Sequence, residues 1–214
     1  MTDKKASTST PTEEATLPAE HETEGQLREE QIRRIGILQC ISRFDDSALR
    51  YLILRANSYQ NAFQFEFLPF NDQDEFIAPL LGSGVVGRNW IIANMGSFFL
   101  RQRDYLRSIS EAYGRTDEPP RHFQLISEAS FRDNYFYTSD TRVAVIALGG
   151  WERSMSPPSI LEFIQALVLQ DAVFGVCPEL STHLGTRGCL FDFCAQLSDV
   201  TNQFIYFRTF FHAV

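Results

Sequence analysis

The chain has 214 residues, 44% of them hydrophobic and 19 of them Phe, and a formal charge of -8. This supplies enough length and apolar content for one domain with a sizeable core. It excludes a broad nucleic-acid footprint, which needs clustered positive charge. No apolar run of roughly eighteen residues or more is present, so no membrane partner is expected.

The charge is uneven. Residues 1–30 hold eight acids and three bases, a net -5, whereas residues 31–214 hold 19 acids and 16 bases, a net -3. The first stretch is rich in Ser, Thr, Pro, Glu and Ala, and its first large hydrophobe is Leu17. Such a segment cannot offset its ordering entropy. The expected organisation is a disordered acidic tail over residues 1–30 followed by a single domain over residues 31–214. The start of the chain lacks the charged and apolar regions of a secretory leader. With four cysteines, that pattern predicts a reducing, cytoplasmic setting. Oligomeric state leaves no signal in the pattern.

After Leu27 to Arg34, which leads into the domain, Ile35 to Ile41 (IGILQCI) reads as a buried strand. Asp45, Asp46 and Ser47 offer caps for a helix whose inner face is Leu49, Leu52, Ile53 and Ala56. In Ala62 to Phe67 (AFQFEF), Phe63, Phe65 and Phe67 alternate with polar residues as in a strand. The three together predict a βαβ unit with parallel strands.

Asp72, Asp74 and Glu75 precede a short helix in this reading. Gly82, Gly84 and Gly87 (GSGVVG) look superficially like a phosphate loop but lack the lysine and the full fingerprint, so a turn is expected. Trp90 to Ala93 reads as a strand. Phe98 to Tyr113 reads as a helix with Leu100, Tyr105, Leu106 and Ile109 inward and Gly114 as its stop. His122 to Ile126, a short edge strand at Asn134 to Tyr137, and Thr141 to Leu148 (TRVAVIAL) supply the later strands. Pro157-Pro158-Ser159 enters a last apolar helix over Ile160, Phe163, Ile164, Leu167 and Val168, ending near Gly175 to Pro178. The fold class expected is α/β: a layered domain with a mixed, mostly parallel sheet and helices packed against it.

Chemistry-bearing residues concentrate after that helix. Cys177, His183, Cys189 and Cys194 run as C-x5-H-x5-C-x4-C, a set of side chains that suits zinc in type but not in a short structural-zinc spacing. Free cysteine is commonly buried as a small hydrophobe, so packing is the leading reading and no cofactor is expected, with zinc as the alternative. Asp192 either orients His183, caps a turn or pairs with Arg187. Cys189 with His183 is a weaker nucleophile–base pair. His122 reads as a surface or satisfied core histidine rather than a ligand. Ser127, Glu128, Asp133, Tyr135 and Tyr137 either rim a cleft near the later strands or belong to ordinary loops. Arg121, Arg132, Arg142, Arg153 and Arg187 form either a local patch or a solvated surface. The aromatic end FIYFRTFFHAV, with His212, packs inward or forms a partner patch.

On these residues the chain resembles the archaemetzincins, a family of zincin-fold, metallopeptidase-like proteins. The resemblance rests on Ile35 to Pro69, on Leu125 to Leu148 with Asn134, Tyr135 and Phe136, and on Cys189-Leu190-Phe191-Asp192-Phe193 followed by Leu197 to Val200. It implies a zincin-like fold. It also exposes what is missing, because the chain has no HExxH. Counting back from Cys189 puts His183 at the third metal-binding histidine, Cys177 at the second, Val173 at the first and Phe174 at the general-base glutamate. In the additional cysteine-rich zinc site of the family, Cys189 fits one position, Leu184 stands at the preceding one, and the C-terminus has no CxxC pair. The expected function is therefore that of a non-catalytic, zincin-like interaction or regulatory protein. Its degenerate cleft (Val173, Phe174, Cys177, His183, Arg187, Cys189, Asp192) would receive a peptide or protein partner. The alternatives are a divergent metal-dependent hydrolase using a Cys/His site, with Glu128, Asp133 or Asp192 replacing the base, and a small-ligand-binding α/β domain with Gly82 to Gly87 and Ser127 to Asn134 flanking its pocket.

Overall fold

A computed structural model of the chain describes residues 32–41, 46–133, 135–149, 159–177, 179–180 and 182. The expected disordered tail, Asp45, Arg153, His183, Arg187, Cys189, Asp192, Cys194 and the aromatic C-terminus lie outside the described residues.

The strands are β1 (Arg33–Cys40), β2 (Phe63–Phe67), β3 (Val85–Val86), β4 (His122–Ser127), β5 (Ser130–Phe131), β6 (Tyr137–Ser139) and β7 (Val143–Ala147). The helices are α1 (Ser47–Ala56), α2 (Arg88–Ala112) and α3 (Ile160–Val176), with a single 3-10 turn at Ala78–Leu80. The main sheet has the order β2-β1-β4-β7-β6. Its pairs are parallel except β6 with β7, so the sheet is mixed and mostly parallel, as expected. β3 and β5 form a separate parallel pair.

Alternation along the strands divides the core in two. Ile35, Ile37, Phe63, Phe65, Ile126 and Ile146 face α1 and α3. Leu38, Cys40, Phe123, Leu125, Val143 and Val145 face α2 and the 3-10 turn. The sheet is thus covered on both faces, which explains why β4 and β7 are buried at every position. The expected βαβ unit is present in β1, α1 and β2, with Leu49 and Ile53 buried.

Two expectations fail together. Trp90 to Ala93 is not a strand but the first turns of α2, which begins ten residues before Phe98. The buried face of α2 is Ile91, Met95, Phe98, Phe99, Gln102 and Leu106, whereas Leu100 is 57% exposed. The short apolar run around Trp90 looks the same in a strand and in a buried helix turn. Once those turns are helical, the inward stripe is fixed by Phe98 stacking on Phe76 at 4.5 Å and by Phe99 against Phe123 at 5.7 Å. Gly114 stops the helix as expected, at φ 65, a left-handed conformation that suits a residue without a Cβ. The short helix expected after Asp72 is reduced to the 3-10 turn.

α3 begins as its sequence predicts. Ser159 Oγ accepts from the Glu162 N–H at 3.2 Å, and the Ser159 N–H donates to Glu162 Oε2 at 3.0 Å, a reciprocal capping box. Phe163 then meets Phe136 edge-on at 5.0 Å.

The two outer strands of the main sheet differ in how their outer edges are treated. Along β2 the even-numbered backbone groups face β1, because Arg33 N–H donates to Ala62 O and Leu68 N–H to Ile37 O. Phe63, Phe65 and Phe67 therefore point their backbone groups outward. Gln60 takes the Phe63 N–H on Oε1 at 2.9 Å and donates from Nε2 to Phe63 O at 2.7 Å. Asn57 does the same for Phe65, at 2.8 and 3.0 Å. Two side-chain amides replace the neighbouring strand that this edge would otherwise seek.

Candidate functional site

The later half of α3 and the strands under it hold the described part of the site. α3 is apolar nearly all round and carries one buried carboxylate, Asp171, 5% exposed. A charge in such a setting needs donors. Three converge on it from the even-numbered face of β4 and from β6. His122 Nε2 lies 2.5 Å from Asp171 Oδ2, Gln124 Nε2 donates to the same oxygen at 2.6 Å, and Tyr137 Oη donates to Oδ1 at 2.6 Å.

The acceptor fixes the proton positions. His122 Nε2 carries its proton toward the carboxylate, and Nδ1 faces Thr141 O at 3.4 Å. The amide of Gln124 cannot be turned over, because Nε2 also donates to Val168 O at 3.1 Å, and a flip would set oxygen against two acceptors. This leaves Gln124 Oε1 buried without a partner among the described residues. Tyr137 spends its one proton on Asp171, so Ser139 Oγ, 2.9 Å away, is the donor to the phenol oxygen. Burial, then the Asp171 charge and hydrogen bond, push the Tyr137 phenol far up and keep it neutral. His122 is thus a satisfied core histidine, and the cluster fastens α3 to β4 and β6. Sequence reasoning did not connect these residues. The available signals were a lone acid within ILEFIQALVLQDAVFGV and the i, i+2 spacing of His122 and Gln124 on one face of a strand.

Two residues beyond Asp171, Val173 packs half-buried against the α1 side of the core. Phe174 follows it, also half-buried. Gly175 O accepts from Arg33 Nη1, and a Cβ at Gly175 would come within 2.7 Å of the Arg33 guanidinium carbon, so the last turn of α3 lies directly on the start of β1. Cys177 closes the helix, its N–H donating to Val173 O at 2.8 Å, and its thiol is free. Of the residues expected at the degenerate site, Val173, Phe174 and Cys177 therefore follow one another at the end of α3, and the rest lie outside the described residues. Zinc requires N, S or O donors. Val173 and Phe174 offer none, so these two positions do not fit a metal. Among the described residues no group of three or more His, Cys, Asp and Glu side chains is placed to hold one.

The residues expected to rim a cleft separate. Ser127 is buried, with Oγ donating to Leu80 O at 2.5 Å and accepting from Ala129 N–H at 3.0 Å. Glu128 is also buried. These two positions belong to the interior rather than to a rim, because the β4 end is roofed by the 3-10 turn. Asp133 pairs with Arg88 at 2.7 Å, and Arg88 lies 4.1 Å over the Tyr135 ring. Gly82 to Gly87 forms a turn and a strand instead of a cradle: Gly84 O accepts from Ser130 N–H, and Val86 O from Arg132 N–H. The two segments expected to flank a ligand pocket therefore hydrogen-bond to each other there. Of the arginines expected in a patch, Arg142 lies 5.1 Å over the Phe99 ring, and Arg121 and Arg132 are exposed. Burial pushes the Cys40 thiol, at the end of β1, up to about 12.

β6 is the outer strand at the other end of the sheet from β2. Ala147 N–H donates to Phe136 O, and Asp140 N–H to Val143 O. With Tyr137 opposite Ile146 and Ser139 opposite Ala144, Tyr137 and Ser139 are the non-bonded positions of the antiparallel ladder. Their backbone N–H and C=O groups point away from β7, and no described residue pairs with them.

No family model matches the chain, and no curated protein matches it. Comparison with solved structures finds a likeness to the crystal structure of archaemetzincin from Methanopyrus kandleri, at 12% identity and a TM-score of 0.41, covering 86% of this chain and 97% of that one. No described helix is long and apolar enough to cross a membrane.

Proposed function

We propose that the chain is a non-catalytic, zincin-like interaction protein, a pseudo-metallopeptidase that presents the outer edge of β6 to an extended segment of a peptide or protein partner. The observation that carries this reading is the contrast between the two sheet edges. The β2 edge is closed by Asn57 and Gln60, the usual protection against unwanted pairing. At β6, no described residue closes the backbone groups of Tyr137 and Ser139. An edge of this kind takes a partner by strand addition, in which main-chain hydrogen bonds supply affinity.

The loss of catalysis is supported by what occupies α3. Its one buried acid, Asp171, has both oxygens committed to His122, Gln124 and Tyr137, which removes it from acid–base work. Val173 and Phe174 follow, and an ungapped count back from Cys189 sets them against the histidine and glutamate of the resembling family.

The test selects binders from a randomised nine-residue peptide library on the full chain, then measures them against two variants. Ser139→Pro removes the outward N–H while leaving the bonds to β7, and a proline is tolerated on an edge strand. Ser139→Ala removes only the hydroxyl. The selected peptides are expected to lose at least about tenfold in affinity with Ser139→Pro, the order of one buried main-chain bond, and little with Ser139→Ala. Equal binding by all three proteins overturns the docking site. One zinc per chain together with chelator-sensitive peptide cleavage overturns the non-catalytic reading.

A further inference from the structure

The outer face of α1 is a different kind of surface, at the β2 end of the sheet and away from β6. Tyr51, Leu54 and Tyr59 are 61, 44 and 71% exposed. Tyr51 and Arg55 stand one helical turn apart on α1, and Tyr59 follows four residues later in the turn after it. Arg55 Nε donates to Tyr59 Oη at 2.9 Å and Nη1 to Tyr51 Oη at 3.5 Å, and the guanidinium carbon lies 5.9 and 5.4 Å from the two ring centroids.

Three features of this stripe point to one kind of ligand. First, it is donor-rich. Both phenol oxygens accept from Arg55, and neither phenolic O–H has an acceptor among the described residues, which leaves both to donate beside the remaining guanidinium N–H groups. Second, Arg55 has no carboxylate partner among the described residues, whereas the neighbouring Arg50 pairs with Asp46 at 2.8 Å and lies over Phe67. Third, α1 (SALRYLILRA) contains no acid, although the whole chain carries -8. A planar fork held between two rings has already lost much of the freedom that binding would otherwise remove. Leu54 adds an exposed apolar contact beside it.

We infer that this face docks an acidic peptide segment of a partner protein, with a carboxylate on the Arg55 fork between the two phenols and an apolar side chain on Leu54. One guanidinium on an acidic chain is a poor match for the continuous phosphates of a nucleic acid, which reward many cationic contacts. The inference goes beyond the strand-addition reading and does not depend on it.

The experiment uses the full chain and a fluorescein-labelled twelve-residue peptide of repeated Glu-Glu-Leu, followed by fluorescence anisotropy at about 50 and 300 mM salt. A repeated Gln-Gln-Leu peptide and a single-stranded oligonucleotide of the same charge are the controls. The acidic peptide is expected to bind saturably and more weakly at high salt. Arg55→Ala should weaken it at least about tenfold, and Arg55→Lys about threefold or more. Arg55→Glu should transfer binding to a Lys-Lys-Leu probe. Melting temperatures should stay within about 2 °C, since these are surface changes. Ser139→Pro should leave this affinity unchanged, so failure here and failure at β6 are read separately. Absence of saturable binding, equal binding of the glutamine peptide, indifference to Arg55→Ala, or stronger binding of the oligonucleotide overturns the inference.

Discussion

Replacing Asp171 by Ala tests the clamp that seats α3. The substitution removes a carboxylate that is 5% exposed and leaves His122, Gln124 and Tyr137, all donating to it, without their acceptor. His122 and Gln124 are 3 and 0% exposed, so water does not readily replace what is lost. One stranded buried donor costs about 1–3 kcal/mol, and three donors lose the same acceptor here. These costs share one acceptor and do not add in full, so the expected loss is about 3–5 kcal/mol, a large part of the roughly 5–15 kcal/mol that holds a domain together. At about 2–4 °C per kcal/mol for a domain of this size, the melting temperature should fall by about 6–20 °C. Urea unfolding monitored by circular dichroism gives the free energy, with an unchanged slope as evidence that the native state remains compact. The double variant His122→Leu/Asp171→Leu removes one of the three stranded donors, leaving Gln124 and Tyr137, and should recover part of the loss. A loss below about 1 kcal/mol for Asp171→Ala would refute the reasoning and show that α3 is held by apolar packing alone.

Two further outcomes follow from other contacts. The paired substitution Asn57→Ala and Gln60→Ala strips the outer edge of β2 and should raise concentration-dependent association in sedimentation or light scattering; a variant that stays as dispersed as the parent contradicts the edge-closure account. At Asp74, partial burial pushes the carboxyl up, but the Arg101 guanidinium at 2.7 and 3.0 Å and the Phe76 N–H at 2.8 Å outweigh it and hold the group below its ordinary value. The unfolded chain then binds the proton more readily, so this pair stabilises the fold above about pH 4 and the contribution is lost as pH falls through the native value. Arg101→Met should flatten that acid limb in urea midpoints taken between about pH 2 and 5; an unchanged limb assigns the acid sensitivity to other carboxylates.

Much of the layering was legible because four strands are short apolar or alternating runs and α3 carries its own start signal in Pro157-Pro158-Ser159. α2 differs from expectation at its start and, at Leu100, in its inward face, although Leu106 is buried as expected, since neither Trp90-Ile91-Ile92 nor the Phe98-Phe99 pair has a direction until the sheet beneath supplies one. The site was less legible still. His122, Gln124, Tyr137 and Asp171 are up to 49 residues apart, and what joins them is strand order and helix docking. The closing of β2 by Asn57 and Gln60 looks, in sequence, like an ordinary polar turn. The absent HExxH, in contrast, is plain in the sequence.

Residue-resolved amide hydrogen exchange tests the central claim most directly, because the two edges serve as each other's control. In the free chain, the N–H groups of Phe63 and Phe65 should be protected by Gln60 and Asn57, those of Tyr137 and Ser139 should exchange fast, and that of Thr138, bonded to β7, should be slow. On addition of a selected extended peptide, Tyr137 and Ser139 should become protected while Phe63 and Phe65 stay as they were. Protection of Tyr137 and Ser139 already complete in the free chain, or unchanged at saturating peptide, would contradict the account.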